Sequence, residues 1–328
     1  MNIAQTGFGS WGTALALTLA DKGETVRVTM RSGEELLQIK KDRENKRYLP
    51  GAKIPDNVVF YDGLKETLEG ADTVIFAVPA QGFREALTKA LPYMEEGAII
   101  VNVAKGIELV TLMRMSEIAF GLAADHPYVV LSGPSHAEEV WRRLPTTVAA
   151  ASRDPEAAKK IQSLFMTDRF RVYTNDDVTG VETGGALKNI MALGAGISDG
   201  LGFGDNAKAA LMTRGIVEIM RLGAAIGAKK ETFAGLTGIG DLIVTCTSDH
   251  SRNLRCGRLI GQGVKPQEAV KAIGMAVEGI YTCEAAASLA ERMGVEMPIT
   301  FSIHECLSGR IQPTKAIDML MNRSPKRE

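Results

Sequence analysis

Gly7-Phe-Gly9-Ser-Trp-Gly12 decides the fold of this chain, because it lies between a strand-like run at Ile3–Thr6 and a helical pattern over residues 13–22. A GxGxxG stretch in that position is the fingerprint of a dinucleotide-binding turn. Gly7 permits the tight turn, Gly9 lets the backbone approach a pyrophosphate, and Gly12 lets the helix pack on the strand. The N–H groups that open the helix attract phosphate. We therefore predict a dinucleotide site, with purely structural glycines or an S-adenosylmethionine site as alternatives.

The residue after the second strand bears on which dinucleotide binds. The fingerprint expects an acidic residue about 20 positions on, where it bonds the ribose hydroxyls of NAD. Here that strand ends at Met30-Arg31-Ser32, and a guanidinium matches the 2′-phosphate of NADP. The alternative is a solvated loop arginine, and Glu34 and Glu35 lie close enough for NAD use.

Short apolar runs alternate with helical patterns through the first half of the chain. Seven more strands are predicted, at residues 25–30, 58–60, 73–78, 98–102, 128–131, 146–150 and 169–173, with helices at 81–91 and 111–120 among the connections. Continuous apolar strands separated by helices are typical of a mainly parallel sheet covered on both faces. We predict a Rossmann-like α/β domain over residues 1–180.

The pattern after residue 180 is helical throughout. Helices are predicted at residues 185–197, 207–226, 251–261, 266–273, 282–293 and 298–307, with Gly227, Gly261 and Gly294 at expected helix ends. Residues 181–328 are therefore predicted to form an all-α domain.

Composition narrows the possible classes of protein. The net charge of −1 gives no electrostatic case for nucleic acid. No apolar run approaches the roughly 20 residues of a membrane span, and the N-terminus does not resemble a secretory signal. The cysteines and histidines are not spaced as metal ligands: Cys246, Cys256, Cys283 and Cys306, and His126, His136, His250 and His304. We predict a cytoplasmic protein with reduced thiols and no metal site.

Lys188 is the only charged residue between Glu182 and Asp199. Apolar surroundings remove the hydration of an ammonium group and favour its neutral form. A lysine able to exchange a proton suits acid–base work on a carbonyl or alcohol. The alternative is a lysine that extends its ammonium to the helix surface.

Asp241 lies in a second apolar, glycine-rich run, where an unpaired carboxylate would be costly. Pairing with Lys188 would remove the cost for both groups. Ser251 is suited to cap a helix that starts near Arg252. Serine, arginine and asparagine at a helix start, as in Ser251-Arg252-Asn253, suit phosphate, although an ordinary capped surface helix also fits.

These motifs together resemble those of the NAD(P)-dependent glycerol-3-phosphate dehydrogenases in their bacterial form. The resemblance runs from Gly7 to about Gly309. It rests on Gly7 to Thr13, Ala104-Lys105-Gly106-Ile-Glu108, Ser132-Gly-Pro-Ser135-His-Ala137, Gly185-Ala-Leu-Lys188-Asn189, Asp199 to Ala210, Gly240 to Asn253, Glu278-Gly279 and Val295-Glu-Met-Pro298.

The resemblance implies that the enzyme interconverts dihydroxyacetone phosphate and sn-glycerol 3-phosphate with NADP(H) or NAD(H). It also implies that the product feeds phospholipid synthesis and that the enzyme is a homodimer. It implies that Lys188 is the proton donor and acceptor and Asp241 its polar partner. The implied substrate-binding residues are Lys105, Gly133, Ser135, Lys188, Asp241, Ser251, Arg252 and Asn253. The implied cofactor-binding residues, beyond the three fingerprint glycines, are Ser10, Trp11, Arg31, Lys105, Ala137, Arg252, Ala276 and Glu278.

Five positions depart from the family pattern. Gln5-Thr6 replaces a more apolar pair, Phe8 a small residue, His136 an aromatic residue and Thr183 an aliphatic residue. We expect the substitutions at His136 and Thr183 to affect substrate affinity.

Two other functions are compatible with the motifs. One is a hydroxyacid dehydrogenase of the 6-phosphogluconate or β-hydroxyacid type, and the other a nucleotide-sensing protein without turnover.

Overall fold

A computed structural model describes residues 1–325 of the chain. Contacts divide it into two compact units, which we describe separately. The first consists of Met1–Lys105 and Met113–Val181, and the second of Gly106–Leu112 and the chain from Glu182 onward. The sequence patterns do not indicate that Gly106–Leu112 belongs to the second unit, where Ile107 is part of the apolar core. The domain boundary between residues 180 and 181 remains a prediction.

An eight-stranded sheet forms the first unit within the described residues. Its strands are β1 Ile3–Thr6, β2 Val26–Thr29, β3 Val58–Phe60, β4 Thr73–Phe76, β5 Ile99–Asn102, β6 Tyr128–Ser132, β7 Thr146–Ala151 and β8 Phe170–Asn175. The order is β3-β2-β1-β4-β5-β6-β7-β8, and every neighbouring pair is parallel except β6 and β7. All eight predicted strands are present, and the predicted mainly parallel α/β fold is confirmed.

The helices of the first unit lie between these strands. They are α1 Ser10–Asp21, α2 Gly33–Asp42, α3 Leu64–Leu68, α4 Phe83–Ala90, α5 Met115–Leu122, α6 Ala137–Val140 and α7 Pro155–Phe165. For the helix predicted at residues 111–120, the predicted start is wrong. Leu112 has a φ of +60°, which a right-handed helix does not contain, so α5 begins only at Met115.

Alternate residues of β1, β4, β5 and β6 enter two apolar layers, one on each face of the sheet, whereas β8 exposes Arg171 and Tyr173 on one face. Ile75 packs in one layer with α1, whereas Val74 and Phe76 pack in the other with α4. This follows from the two-residue repeat of side-chain direction along a strand. Burial on both faces explains why the strands read as continuous apolar runs.

The chain reverses its direction across the sheet at β1. It first adds β2 and β3 on one side of β1 and then places β4 on the other side. Ligands of doubly wound sheets bind beyond the carboxyl ends of strands at such a switch point. Gly7 follows β1 and Ala77 follows β4, so the glycine fingerprint lies at this position.

Between Glu182 and residue 325, the last one described, all the regular secondary structure of the second unit is helical. Helix α8, Val178–Gly200, enters it from the first unit. The others are α9 Asp205–Ala225, α10 Asp241–Thr247, α11 Arg252–Gly261, α12 Pro266–Ile273, α13 Glu278–Met293, α14 Pro298–Leu307 and α15 Pro313–Met321. Residues 181–198 of α8 are all buried, as expected for a helix that is apolar on every side. Over the described part of the chain, no helix has the length and apolar character needed to cross a membrane.

Candidate functional site

The structure gives a different reason for glycine at each of the three fingerprint positions. A Cβ on Gly7 would lie 2.3 Å from the Ala77 carbonyl oxygen, and Gly7 has a φ of +90°, so its residue type is fixed by packing and backbone geometry. A Cβ on Gly12 would lie 2.7 Å from the Gly7 oxygen. Apart from the residues next to Gly9 in the chain, no described residue has an atom within 4 Å of the position that a Cβ on Gly9 would occupy. Gly9 therefore leaves open space, as a phosphate-binding turn requires.

Substitution of Gly9 should separate ligand binding from folding. We expect Gly9→Ala to retain the wild-type melting temperature, because the added methyl group meets no other part of the described chain and the φ of −74° suits alanine. The methyl group occupies the space left for a pyrophosphate, so the dissociation constant for NADPH should rise at least about tenfold. Fluorescence titration measures this, with Gly121→Ala as the matched control in open space on α5. Unchanged NADPH affinity in Gly9→Ala would contradict this interpretation of the turn.

The other predicted cofactor residues of the first unit surround this turn or follow the strand ends. Ser10 donates its hydroxyl to the Tyr48 carbonyl oxygen at 2.7 Å. The indole N–H of Trp11 is buried and has no hydrogen-bond partner in residues 1–325. Arg31 lies two residues beyond the end of β2 and is exposed, and Ala137 is the buried first residue of α6. The unpartnered indole N–H is compatible with a ligand acceptor at the fingerprint.

Three predicted substrate residues of the first unit meet at one carbonyl group. Lys105 Nζ and Ser135 Oγ each donate to the Gly133 oxygen at 2.9 Å. Gly133 has a φ of +142°, and a Cβ there would lie 3.0 Å from Val148 Cα, so glycine is required at this position. Lys105, Gly133 and Ser135 thus form one polar cluster beyond β5 and β6.

Lys188 is buried and hydrogen-bonded in the second unit. Only 6% of Lys188 and 1% of Asp241 is exposed, and Lys188 Nζ donates to Asp241 Oδ1. Nζ also donates to Thr245 Oγ1 at 2.7 Å, and that hydroxyl donates to the Asp241 main-chain oxygen at 2.6 Å. This arrangement excludes a surface-extended lysine and confirms the predicted pairing of Lys188 with Asp241.

Glycines on α8 and before α10 allow this pair to form. Gly184 lies one helical turn before Lys188, and a Cβ there would lie 2.4 Å from the Thr237 main-chain oxygen. Thr237 belongs to the π-helical turn Leu236–Gly240, which leads directly into Asp241. The backbone of the turn therefore packs directly on α8, and Asp241 begins its helix beside Lys188.

The Ser251-Arg252-Asn253 segment opens α11 as predicted. Ser251 Oγ accepts a hydrogen bond from Leu254 N at 3.2 Å, which is the predicted cap. Arg252 is half-buried at the first position of the helix. Asn253 is buried, and its amide nitrogen donates to Asn189 Oδ1 at 3.0 Å. Asn253 therefore links α11 to the residue beside Lys188.

Asn253 also links α11 to α13. Its Oδ1 accepts a hydrogen bond from Gly279 N at 2.9 Å. Gly279 follows Glu278, the first residue of α13, and the exposed Ala276 lies two residues before Glu278. The segment that contains the predicted cofactor residues Ala276 and Glu278 is thus bonded to the predicted substrate segment.

Sequence reasoning missed Thr245 as a partner of Lys188. Its spacing of four residues from Asp241 was the available signal, because such residues share one face of a helix. The next residue, Cys246, is buried, and burial raises the pKa of its thiol to about 12 against the opposing charges of Lys188 and Lys208. This thiol is therefore neutral. All four cysteines are free, and the described residues contain no group of three potential metal-ligating side chains.

The departures from the family pattern lie at defined positions in the structure. Phe8 is buried and packs edge-to-face on Phe60, so its bulk enters the core. Gln5 is buried and bonds the glycine turn. His136 precedes α6, and Thr183 is buried on α8. The expected effects of His136 and Thr183 on substrate affinity remain predictions.

Comparison with known proteins covers both units. Residues 2–158 match the model of the NAD-dependent glycerol-3-phosphate dehydrogenase N-terminus, and residues 177–318 match that of its C-terminus. The glycerol-3-phosphate dehydrogenase [NAD(P)+] of Pelotomaculum thermopropionicum is 52% identical over 99% of this chain and 94% of its own length. The Bacillus subtilis protein of the same name is 50% identical over 99% of this chain and 95% of its own length.

Solved structures agree with the sequence matches. The crystal structure of glycerol-3-phosphate dehydrogenase from Coxiella burnetii has a TM-score of 0.95 and 41% identity, and the match covers 98% of each chain. D-Mandelate dehydrogenase, in a ternary structure with NADH, has a TM-score of 0.67 at 15% identity over 97% of this chain and all of that one, which shows a shared fold alone. With its fingerprint glycines, its paired Lys188 and Asp241 and these matches, the chain belongs to the NAD-dependent glycerol-3-phosphate dehydrogenase family.

Proposed function

We propose that this chain catalyses the reversible NAD(P)H-dependent reduction of dihydroxyacetone phosphate to sn-glycerol 3-phosphate. The observation that carries the proposal is the buried cluster of Lys188, Asp241 and Thr245 in a member of this family. A buried lysine held by a carboxylate and a hydroxyl suits proton exchange with an alcohol or carbonyl oxygen. The names of the matched relatives supply the substrate class.

Lys188 is proposed to act on the oxygen of the substrate carbonyl. When bound, the nicotinamide cofactor supplies the hydride that reduces the carbonyl carbon. Negative charge then develops on the oxygen, where the Lys188 ammonium stabilises it and donates a proton. Asp241 and Thr245 hold Nζ in one position, so little reorganisation is needed when the charge develops. In the reverse direction the same amine accepts the proton of the alcohol.

The substrate phosphate is proposed to bind at the start of α11. Arg252 offers a guanidinium whose geometry matches phosphate, and the helix N-terminus adds main-chain N–H groups and a favourable dipole. Asn253, held at this position by its bonds to Asn189 and Gly279, contributes its amide. Ser251 fixes the helix start and is also proposed to contact the substrate. The cluster of Lys105, Gly133 and Ser135 is proposed to bind substrate as well.

Cofactor binding is proposed for the glycine turn and the residues that accompany it. The open space at Gly9 supports this proposal, since protein packing does not require glycine there. The remaining proposed contacts are Gly7, Ser10, Trp11, Gly12, Arg31, Lys105, Ala137, Arg252, Ala276 and Glu278.

A steady-state assay tests the proposed reaction. Purified chain is mixed with dihydroxyacetone phosphate and either NADPH or NADH, and loss of absorbance at the reduced nicotinamide band is recorded. A panel of hydroxyacids and ketoacids in the same assay tests the hydroxyacid dehydrogenase alternative. Oxidation that depends on dihydroxyacetone phosphate supports the proposal. Cofactor binding without oxidation on any substrate would instead favour a nucleotide-sensing protein.

Arg31 is proposed to recognise the 2′-phosphate of NADP. In Arg31→Ala we expect kcat/KM for NADPH to fall about tenfold or more, because a charge-assisted hydrogen bond to phosphate is lost, while kcat/KM for NADH stays the same. The matched control is Arg27→Ala, which removes a half-buried arginine from β2 whose guanidinium bonds the Glu69 carbonyl oxygen. Equal losses with both cofactors in Arg31→Ala would contradict the assignment.

The cellular role is also proposed from the resemblance. We infer that the product feeds phospholipid synthesis, that the enzyme is cytoplasmic and that it forms a homodimer. Sedimentation analysis of the purified chain tests the homodimer, and fractionation of cells tests the location.

A further inference from the structure

The glycine turn is held from inside the first unit by two buried side-chain amides. We propose that Gln5 and Asn45 are positioning residues of the cofactor site, which hold the carbonyl groups of the turn so that its N–H groups face the phosphates. The proposal rests on the proposed binding of a nicotinamide dinucleotide at this turn. It assigns a role to Gln5, which replaces a more apolar residue of the family pattern.

Gln5 connects the two ends of the turn. It lies on β1 and is fully buried. Its Nε2 donates to the Gly7 oxygen at 2.9 Å and to the Gly12 oxygen at 2.9 Å. A primary amide nitrogen has two N–H donors, so both are used on the first and last glycines of the fingerprint. A leucine at this position would leave both carbonyl groups without that donor.

Asn45 holds the middle of the turn. It lies between α2 and β3 and is 1% exposed. Its Nδ2 donates to the Phe8 oxygen at 2.6 Å and to Thr13 Oγ1 at 2.9 Å, and its Oδ1 accepts from Tyr48 N at 3.3 Å. The segment around Asn45 is thereby bonded both to the turn and to the first helix.

These bonds fix the direction of the main-chain donors. In a planar trans peptide the C=O and N–H groups point in opposite directions. With the Phe8 oxygen held on Asn45, the N–H of Gly9 is turned away from Asn45. A series of N–H groups directed to one side forms an anion-binding concavity, and the space beside Gly9 is open. Loss of either amide should let the peptide planes rotate and weaken phosphate binding.

The test compares two pairs of substitutions that replace an amide side chain by leucine. Gln5→Leu and Asn45→Leu remove the amides at the turn. The first control, Gln162→Leu, removes an amide that donates to the Val172 oxygen at 2.8 Å. The second control, Asn57→Leu, removes an amide that donates to the Ala20 oxygen at 2.9 Å and to the Glu24 oxygen at 2.8 Å. The controls therefore lose the same kind of hydrogen bond away from the turn. Dissociation constants for NADPH and for ADP-ribose, which retains the pyrophosphate, are measured by titration, and melting temperatures by circular dichroism.

We expect about tenfold weaker binding of both NADPH and ADP-ribose in the two turn variants and unchanged binding in the two controls. In the full reaction, the loss should fall on KM for NADPH and not on KM for dihydroxyacetone phosphate. The two turn variants and the two controls all lose amide donors to main-chain oxygens, so we expect all four melting temperatures to fall, which separates loss of stability from loss of dinucleotide binding.

Other outcomes overturn the proposal. Unchanged dinucleotide affinity in Gln5→Leu and Asn45→Leu would do so, as would an equal loss of affinity in the two controls. If Asn45→Leu does not fold, Gln5→Leu decides alone, and if neither folds the residues are structural and the positioning role is rejected. Failure of the wild-type chain to bind NADPH would count against the proposed function instead.

Discussion

Lys188→Ala is expected to lower turnover of dihydroxyacetone phosphate by about 10³-fold or more. The substitution removes both the proposed proton donor and the positive charge proposed to stabilise the developing oxyanion. NADPH affinity should change little, because the glycine turn and Arg31 are untouched. Steady-state assays give kcat, and titration gives the NADPH dissociation constant. Near-normal turnover in Lys188→Ala would remove Lys188 from the mechanism.

Two further variants separate catalysis from loss of the ion pair. Lys188→Ala leaves Asp241 buried without its counter-charge, which is destabilising, so melting temperature is recorded for each variant. Lys188→Arg keeps a positive charge beside Asp241 but cannot release a proton near neutral pH. We expect it to fold and to remain severely impaired. Lys208→Ala is the matched control, since Lys208 forms a 2.7 Å ion pair with Asp199 in the same unit; its turnover should stay within a few-fold of wild type.

Glu218→Ala is expected to reduce the free energy of unfolding by about 3 kcal/mol. Glu218 is 2% exposed on α9, and its carboxylate accepts hydrogen bonds from Ile299 N and Thr300 N in the first turn of α14. It also accepts from Thr300 Oγ1 at 3.0 Å. Removal leaves buried donors unsatisfied, at about 1–3 kcal/mol each. Urea unfolding measures the loss, and the exposed Glu284 on α13 provides the control Glu284→Ala, expected within about 0.5 kcal/mol of wild type.

The same carboxyl group should make stability depend on pH. Burial raises the pKa of Glu218 above its ordinary value, more than the bonds from Ile299 and Thr300 lower it. A carboxyl with a higher pKa in the folded state binds its proton more tightly there. Its contribution to stability is therefore present below the unfolded-state pKa of about 4.3 and is lost as pH rises through the folded-state pKa.

Glu218→Gln isolates this effect, because the amide does not titrate. We expect the stability of the wild type relative to Glu218→Gln to decrease as pH is raised from 4.5 to 7. Urea unfolding of both chains at several pH values gives the difference. A difference that stays constant or grows with pH would show that the folded state does not favour the protonated carboxyl.

Most of the first unit was predictable because local patterns decide it. All eight strands lie at the predicted positions, and β4, β5 and β6 are buried on both faces, which explains their nearly continuous apolar runs. The start of α5 was not predictable from helical periodicity, because the positive φ of Leu112 interrupts the pattern without a glycine or proline to mark it. The membership of Gly106–Leu112 in the second unit was also not predictable, since the contacts of Ile107 join residues distant in the chain.

The parts of the candidate site that could be predicted are those where the type of a residue and its neighbours in the sequence allow few interpretations. The fingerprint glycines and the cost of isolating Asp241 led to the turn and to the pairing with Lys188. Thr245 and Asn45 were missed, because threonine and asparagine serve many surface and turn positions. Gln5 was read only as a departure from the family pattern. In each case the partner is a carbonyl or side chain whose position depends on the folding of other segments.

The sequence alone determined the alternation of strands and helices, the position of the glycine turn and the choice of Lys188 as the candidate for proton exchange. These follow from periodicity, glycine spacing and the cost of an unpaired charge, which are local properties. Only the tertiary structure shows which atoms surround each glycine of Gly7-Phe-Gly9-Ser-Trp-Gly12. Gly7 and Gly12 are required by contacts with protein atoms, whereas Gly9 leaves space open. Only folding defines these distances, because the atoms that surround the turn come from Ala77, Gln5 and Asn45.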